Sequence, residues 1–403
     1  MTRKLPGRIR SSLQAIRTAW AIIGMTFLLL LLFEGGLRLT FWLKDLRGAP
    51  TTPDPRVLEQ GYENEGWAVD HFRELERLED RWEPFVYFRQ RPFQGKTINV
   101  DTEGHRATWA ASAKLPDGNQ PIKLLFLGGS SLWGFGARDD HTIPSYVAKD
   151  LDRRGIAVQI RNQAEIGYVN AQELIALIRD LQANERPDYV IFYDGVNDTT
   201  SALLEGTAGV STNESNRRKE FNILQSPGRL LGQAASHFLK NSAAFRFAQS
   251  IRRRSGSGIA TAFPNPSAND LNKLADDVVS RYQANLEMVQ RLGKVYGFRP
   301  LFFWQPTVFD KAKRTPYEGE EKTKFAWTEP IFEAVYRKIR DSAGLKKNPA
   351  FHDLSGIFAD RAELVFIDYC HTTEAANEKI ARAIVDYLAK GIAEGSSERK
   401  SSK

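Results

Sequence analysis

The chain has 403 residues, of which 42% are hydrophobic and 26% are charged. This composition is ordinary for a globular protein, and it excludes wholesale disorder and collagen-like architectures. The net charge of +7 comes mostly from basic residues before the first apolar segment and in the C-terminal tail, so it does not indicate a nucleic-acid-binding surface.

The first predicted element is an apolar helix. Thr18 to Phe33 form an uncharged run of 16 residues, and Leu37 to Leu43 can extend the helix beyond Glu34. Roughly 20 apolar residues span a bilayer, whereas a cleaved signal peptide has a shorter apolar region and an A-x-A-like site, which does not follow here. We therefore expect residues 18–43 to be an uncleaved transmembrane signal anchor. A cleaved signal peptide and a buried helix of a soluble protein are the alternatives.

Charges around this helix predict its orientation. Five Lys or Arg residues precede the apolar run, and three (Arg38, Lys44 and Arg47) follow it. The positive-inside rule then keeps residues 1–17 in the cytoplasm as a basic tail and exports the rest of the chain. Residues 44–80 are polar, mix both charges and include two prolines, which predicts a stalk between the anchor and a folded domain.

Beyond the stalk, short apolar strands alternate with helical patterns. Aromatic residues are dense from Trp82, and a short strand is expected before Gly104. Four further strands are predicted at Ile122–Leu127, Val158–Arg161, Tyr189–Tyr193 and Leu301–Trp304. Helices are predicted at Pro144–Leu151, Ala171–Leu181 and Leu274–Leu292.

This alternation predicts an α/β fold, a three-layer α/β/α sandwich with a central parallel sheet. Such sheets place their functional sites at the carboxyl ends of the strands. We expect the domain to occupy residues 81–393, and residues 394–403 to form a disordered tail.

An insert over residues 199–272 interrupts the alternation. Its polar, turn-rich ends flank a segment in which Leu231, Phe238 and Phe245 recur every seven residues. Such a stripe fits packing against a core, a mobile lid, or a membrane-surface helix assisted by the arginines at 252–254.

The stretch FLGGSSLWGFG, residues 126–136, follows the first strand of the alternating pattern. A phosphate-binding P-loop would need a lysine where Phe135 stands, and no dinucleotide-binding G-x-G-x-x-G can be drawn through these glycines. The G-x-S-x-G elbow of α/β-hydrolases fails because Leu132 takes the place of its second glycine. What remains is a serine at a strand end whose small neighbours leave a backbone N–H free to point at a substrate, or a turn with a structural role only.

Three later segments, together with this one, resemble the SGNH hydrolase superfamily, also called the GDSL esterases. The four blocks, in order, are Gly128, Gly129 and Ser130 with Gly134; Gly167 in NQAEIGY; Gly195, Val196, Asn197 and Asp198; and Asp368, Tyr369, Cys370 and His371. The resemblance spans residues 121–390. Gly129 departs from the pattern, because the family usually has aspartate there. The anchor and the sequence WQP after the fourth strand are also similar to bacterial envelope members of the family.

The resemblance implies a flavodoxin-like fold and a catalytic serine, Ser130. A serine hydroxyl needs a base within hydrogen-bonding reach, and the base needs a partner that fixes its tautomer, roles that suit His371 and Asp368. The family assigns the oxyanion hole to the backbone N–H groups of Ser130 and Gly167 and to the side-chain amide of Asn197. No metal and no organic cofactor is implied.

Other interpretations of these residues stay open. His352, next to Asp353, is a rival base and acid pair, and Asn197 could belong to an ordinary turn after a strand. Cys370 is the single cysteine, which excludes an intramolecular disulfide and a cysteine-based zinc cluster. We expect it to be a small filler residue.

The function implied by the resemblance is hydrolysis of an acyl ester, most simply an O-acetyl ester, on an extracytoplasmic glycan or glycoconjugate. The expected partners are an acylated glycan or small ester and the membrane, with no nucleic acid. The expected location is the inner membrane, with a single span and a periplasmic catalytic domain. Transfer of the acyl group to an envelope polysaccharide and a catalytically silent scaffold in polymer assembly are the alternatives. A nucleotide-binding protein is disfavoured by the missing P-loop lysine.

Overall fold

The strands predicted from the sequence form one parallel sheet in the computed structural model of the chain, which describes residues 7–46, 55–58, 60–111, 120–224, 228, 232, 236, 240–245 and 266–401. In chain order the strands are β1 Asp80–Glu83, β2 Tyr87–Gln90, β3 Phe93–Gln94, β4 Asn99–Val100, β5 Ile122–Gly128, β6 Val158–Asn162, β7 Tyr189–Asp194, β8 Arg299–Trp304 and β9 Phe351–Asp353. The sheet has the order β6-β5-β7-β8-β9, and all its neighbouring strands are parallel. The pairs β1-β2 and β3-β4 are short and antiparallel.

The order of the sheet is flavodoxin-like. The chain enters at β5, adds β6 on one side, and then continues on the other side with β7, β8 and β9. Leu124 of β5 therefore lies between Ile160 of β6 and Tyr189 of β7. In such sheets the gap between the first strand and its later neighbour, here between β5 and β7, is where ligands bind.

The described residues also form α-helices. In chain order they are α1 Gly7–Leu46, α2 Ala68–Leu75, α3 Ser130–Trp133, α4 Ile143–Arg153, α5 Asn170–Gln182, α6 Val196–Glu205, α7 Glu214–Leu224, α8 Ala268–Tyr296, α9 Pro316–Lys324, α10 Glu329–Asp341, α11 Ala343–Lys347 and α12 Glu374–Ser401. Side chains cap several of them. The hydroxyl of Ser267 accepts the Asp270 N–H at the start of α8, and the left-handed Gly297 ends that helix.

Alternation of side chains along the strands builds two cores. Leu125 and Leu127 of β5 lie in one core with residues of α5, α8 and α10, whereas Leu124 and Phe126 lie in the other with residues of α4 and α12. A strand covered on both faces is apolar throughout, and all six residues of β7 are buried. The predicted three-layer α/β/α architecture is thus confirmed.

The segment that we expected to be a stalk differs in the structure. From Pro55 onward it folds on the sheet domain, with a 3₁₀ turn at Pro55–Leu58 followed by α2. Tyr62 and Phe72 are buried and cluster with Ile367. The Glu74 carboxylate is buried and accepts hydrogen bonds from the backbone N–H groups of residues 96, 97 and 98. The polar composition misled the prediction because these charged side chains have partners inside the fold.

Two other boundaries also differ. The predicted insert begins at residue 199, inside α6, because the helix that carries Asn197 continues to Glu205. The predicted disordered tail over 394–403 is helical through Ser401, as the last turns of α12.

The chain divides into two compact units, Met1–Thr52 with Arg217–Ile259, and Pro53–Asn216 with Ala260–Lys403. The sheet lies in the second unit. In the first unit, Ile16–Leu43 of α1 is long and apolar enough to cross a membrane, with a mean hydropathy of 2.0, although a signal sequence would have the same properties. The carboxylate of Glu34 accepts the N–H groups of Ala243 and Ala244.

The seven-residue repeat predicted in the insert falls mostly outside the described residues. Leu231, Phe238 and the arginines at 252–254 lie outside the described residues. Phe245, which is described, is 40% exposed.

Candidate active site

Three predicted site residues follow three neighbouring strands of the sheet. Ser130 is the first residue of α3, directly after β5. Gly167 follows β6, and Asn197 lies in the first turn of α6, after β7. Because these strands are parallel neighbours, their carboxyl ends bring the three residues to one edge of the sheet, at the point where the strand order reverses.

His371 reaches this edge from the loop before α12. Its Nε2 atom lies 2.7 Å from Ser130 Oγ, and its Nδ1 atom lies 2.5 Å from Asp368 Oδ2. A carboxylate can only accept, so Nδ1 carries the hydrogen and Nε2 is left to accept the hydroxyl proton. The structure therefore brings the three residues of the implied triad into one chain of hydrogen bonds across 241 positions of sequence.

Asp368 is held as an anion that orients the imidazole. Its Oδ1 atom accepts the backbone N–H groups of Cys370 and His371, at 2.8 and 2.7 Å. Burial alone would raise the pKa of Asp368, but the neighbouring His371 and these hydrogen bonds outweigh it, and the pKa lies below its usual range. The aspartate is thus ionised at neutral pH, as the orienting member of a triad must be.

The imidazole has an aromatic neighbour. The ring of Phe135 stacks on His371 with centroids 4.3 Å apart. Ser130 is 8% exposed, and the His371 side chain is 12% exposed. The ring therefore restricts the motion of the imidazole and limits the access of water to it.

The side-chain amide of Asn197 is fixed next to the serine loop. Its Nδ2 atom donates to the carbonyl of Tyr168 at 2.7 Å. An amide nitrogen carries two hydrogens, so one remains for a substrate oxygen. Tyr168 follows Gly167, whose φ of +84° is a backbone conformation that favours glycine. The structure thus places Asn197 and the Gly167 turn side by side.

The Asn197 amide occupies the space that a side chain at residue 129 would take. A Cβ atom at residue 129 would lie 2.1 Å from Asn197 Nδ2, far inside contact distance. Gly195, which begins α6, is constrained in a similar way, since its φ is +126° and a Cβ there would lie 2.8 Å from the ring of Trp304. In this backbone conformation, a side chain at residue 129 would therefore have to displace the Asn197 amide.

Sequence analysis missed a second connection between the serine loop and the histidine loop. Gln305, in the WQP sequence after β8, donates from Nε2 to Ser131 Oγ at 3.2 Å, and Ser131 Oγ donates to the Cys370 carbonyl at 3.4 Å. Both side chains are buried. The WQP sequence alone does not predict this contact, because it forms only when β5 and β8 both pair with β7.

Sequence analysis also missed Arg106, which braces the segment after the serine helix. Its fully buried guanidinium donates to the carbonyls of Trp133, Gly134 and Ala137 and pairs with Asp139. The arginine therefore satisfies backbone groups that the tight turn leaves without partners.

The rival pair lies elsewhere. His352 is on β9, where its ring stacks on Tyr387 with centroids 3.6 Å apart, and burial lowers its pKa to about 4. The structure thus brings His371, rather than His352, to Ser130.

Among the described residues, one group of His, Cys, Asp and Glu has the spacing of a metal site, namely Asp368, Cys370 and His371. The imidazole nitrogens are already hydrogen-bonded to Ser130 and Asp368. Burial raises the pKa of the Cys370 thiol well above its ordinary value, which disfavours the thiolate that binds metals. These residues do not fit a metal ion.

Comparison with known proteins gives similarity in structure only. No family model and no curated protein sequence matches the chain. An acetylxylan esterase from Geobacillus stearothermophilus is 13% identical and has a TM-score of 0.37, over 68% of this chain and 96% of that one. A lipolytic protein of the G-D-S-L family from Desulfitobacterium hafniense is 10% identical, with a TM-score of 0.35 over 66% and 99%. The psychrotrophic esterase EstA from a Pseudoalteromonas species is 12% identical, with a TM-score of 0.34 over 68% and 99%. Similarities of this size do not assign an activity.

Proposed function

We propose that this protein is a membrane-anchored serine esterase of the SGNH type, with Ser130, His371 and Asp368 as its catalytic triad. The observation that carries the proposal is the continuous hydrogen-bonded chain from Asp368 through His371 to Ser130 at the end of β5. The four sequence blocks supply the same residues in the order of the family.

The geometry supports an acyl-enzyme mechanism. Ser130 Oγ attacks the ester carbonyl carbon while its proton passes to His371 Nε2, and Asp368 stabilises the imidazolium that forms. The carbonyl oxygen becomes an oxyanion, which the N–H groups of Ser130 and Gly167 and the amide of Asn197 bind. Collapse of this intermediate breaks the ester bond, and the alcohol leaves with the proton from Nε2. Water then attacks the acyl-serine by the same steps in reverse and releases the acid.

For the substrate we propose an O-acetyl or similar acyl ester on an extracytoplasmic glycan. The anchor and the excess of positive charge before it support export of the sheet domain into the periplasm. The similarity to envelope members of the family, which commonly act on acylated polysaccharides, supports the class of acceptor.

Acyl transfer is the second candidate. Ser130 and His371 are largely shielded from solvent, and a shielded acyl-enzyme favours a bound sugar hydroxyl over water as the second nucleophile. A silent scaffold, for which Gly129 in place of aspartate and the insert over residues 199–272 are the sequence grounds, has less support, because Asp368, His371 and Ser130 form a continuous chain of hydrogen bonds.

The test is turnover of 4-nitrophenyl acetate by the purified full chain in detergent, with and without a soluble xylan or chitooligosaccharide acceptor. We expect the wild type to release free acetate, and we expect kcat of Ser130→Ala to be lower by about 1000-fold or more. Equal rates in the two proteins would overturn the esterase. If more acetylated acceptor than free acetate forms, the protein is an acyltransferase rather than a hydrolase.

A further inference from the structure

A buried polar network centred on Asn170 joins the two loops that carry Gly167 and Asn197. Asn170 is the first residue of α5 and is 1% exposed. Its backbone N–H donates to Asp198 Oδ1 at 3.1 Å, and its side-chain nitrogen donates to Asp194 Oδ2 at 3.0 Å. Its side-chain oxygen accepts from Asn285 of α8 at 2.9 Å. The residue thus uses its backbone donor and both ends of its side chain inside the core.

We propose that Asn170 is a positioning residue of the oxyanion hole, which ties the Gly167 loop to the Asn197 loop through Asp198 and Asp194. The Tyr168 carbonyl accepts a hydrogen bond from the Asn197 amide, and the Asn170 backbone N–H donates to Asp198, the residue after Asn197. Oxyanion donors act through being fixed before the charge develops, so two ties between the loops matter more than one. The inference rests on the proposed function, because it needs an oxyanion to form at this place.

Three buried acids complete the network. Glu173 comes from α5, Asp194 from the end of β7 and Asp198 from α6, and none is more than 8% exposed. The hydroxyl of Tyr282, from α8, faces the same group. The acids face one another and these neutral partners, and the largest effects on their pKa values come from burial and from groups of this network.

Burial makes two of the acids, Glu173 and Asp194, retain protons at neutral pH. Burial raises the pKa of Glu173 well above its usual range, that of Asp194 to about 8 and that of Asp198 to about 6. At neutral pH Glu173 and Asp194 therefore stay mostly protonated, whereas Asp198, which accepts the Asn170 backbone N–H, is mostly ionised. Further negative charge beside the oxyanion hole would oppose the oxyanion. Above pH 8 Asp194 ionises, which adds negative charge close to Asn197.

The first test is kcat and KM for 4-nitrophenyl acetate in the full chain. Asn170→Ala keeps the backbone tie but loses both side-chain ties, and we expect kcat to fall about 100-fold while KM changes less than about threefold. Gln290→Ala is the matched control, because it also removes a partly buried amide pair, that between Gln290 of α8 and Asn348. The control is expected to keep the wild-type kcat.

The second test is the pH profile of Asp194→Asn. An asparagine oxygen can still accept from Asn170, but the residue cannot ionise, so we expect kcat of the variant to persist above pH 8 where that of the wild type declines. If Asn170→Ala does not fold, as judged by its melting transition, Asn285→Ala takes its place, because it removes the partner of the Asn170 side-chain oxygen, and we expect its kcat to fall while KM changes little. A purely structural role of the network would leave the alkaline limb of the profile unmoved.

The outcomes separate the two proposals. If the wild type turns over the ester and Ser130→Ala does not, but Asn170→Ala, or Asn285→Ala in its place, keeps its kcat, the positioning role is wrong and the esterase stands. If Asp194→Asn keeps the wild-type alkaline limb, ionisation of Asp194 does not limit kcat and that part of the proposal is wrong. If the wild type shows no turnover, both are wrong.

Discussion

Gly129 shows how a side chain that is missing can shape a site. A Cβ at this residue would overlap the Asn197 amide, which the Tyr168 carbonyl prevents from moving freely. We predict that Gly129→Ala lowers kcat about 100-fold or more, because losing one oxyanion donor typically costs about 100- to 1000-fold. The control is Gly319→Ala, where a Cβ meets nothing within 4 Å. Equal kcat values in the two variants would contradict the steric account.

Asp368 uses both carboxylate oxygens as acceptors, two backbone N–H groups on one and the imidazole on the other. An asparagine here must turn its NH₂ toward one of these donors. We therefore predict that Asp368→Asn lowers kcat about 1000- to 10,000-fold with KM little changed, because the imidazole loses its tautomer and orientation. The exposed Asp360→Asn serves as the control in the same assay. A loss of less than tenfold in Asp368→Asn would exclude Asp368 from the triad.

Glu173 makes the stability of the sheet domain depend on pH. Because its pKa is raised in the folded state, the fold keeps a proton that the unfolded chain releases above about pH 4. Stability is therefore full below that pH and declines as pH rises. We predict that Glu173→Gln melts higher than the wild type at pH 9 and close to it at pH 4, as measured by scanning calorimetry. A difference that is the same at both pH values would show that Glu173 is ionised in the fold.

At the scale of elements, the segment from Pro55 to α2, which the sequence predicted to be a stalk, packs on the sheet domain. Glu74 of α2 accepts three backbone N–H groups and the Thr97 hydroxyl, and each buried donor left unpaired costs about 1 to 3 kcal/mol. We predict that Glu74→Ala lowers the free energy of unfolding by about 3 kcal/mol or more, whereas the exposed Glu76→Ala leaves it unchanged. Denaturant unfolding of both variants measures this. If the two variants unfold with equal free energies, Glu74 does not hold this segment to the fold, and the predicted stalk is the better description.

Elements with strong local patterns were predicted, and those that depend on distant partners were not. β5, β7 and β8 carry apolar runs, and β6 alternates apolar with polar residues. Each of the four lies within two residues of its predicted bounds. β9 has three residues and pairs with β8 alone, so the sequence around Phe351 carried no comparable signal. The antiparallel pairs β1-β2 and β3-β4 are also short, and of their strands only β4 was predicted, as the strand before Gly104.

The same division holds for the candidate site. Ser130, Asn197 and His371 lie in short blocks with a recognisable order, so they could be named in advance. Asn170 and Gln305 have no such signal, because their roles come from contacts with Asp198 and Ser131 that exist only after the strands have paired. Sequence therefore predicts the groups proposed to react, and the structure adds the groups that hold them.

At the scale of the whole molecule, the candidate membrane span and the proposed triad belong to different units of the chain. We predict that the full chain stays with membranes after alkaline extraction, and that deletion of residues 1–46 moves it to the soluble fraction. A periplasmic reporter fused after Lys403 is expected to be active, since the positive charges precede the apolar run. A full-length gene product that is recovered in the soluble fraction, shortened at its N-terminus, would show a cleaved signal instead.

The most direct measurement is the site of reaction of the full chain with a fluorophosphonate probe at neutral pH, mapped by mass spectrometry of the digested protein. We predict one adduct, on Ser130, that is absent in Ser130→Ala and formed much more slowly in His371→Ala. An adduct on another residue, or equal labelling rates in the wild type and His371→Ala, would contradict the claim that the imidazole activates this serine.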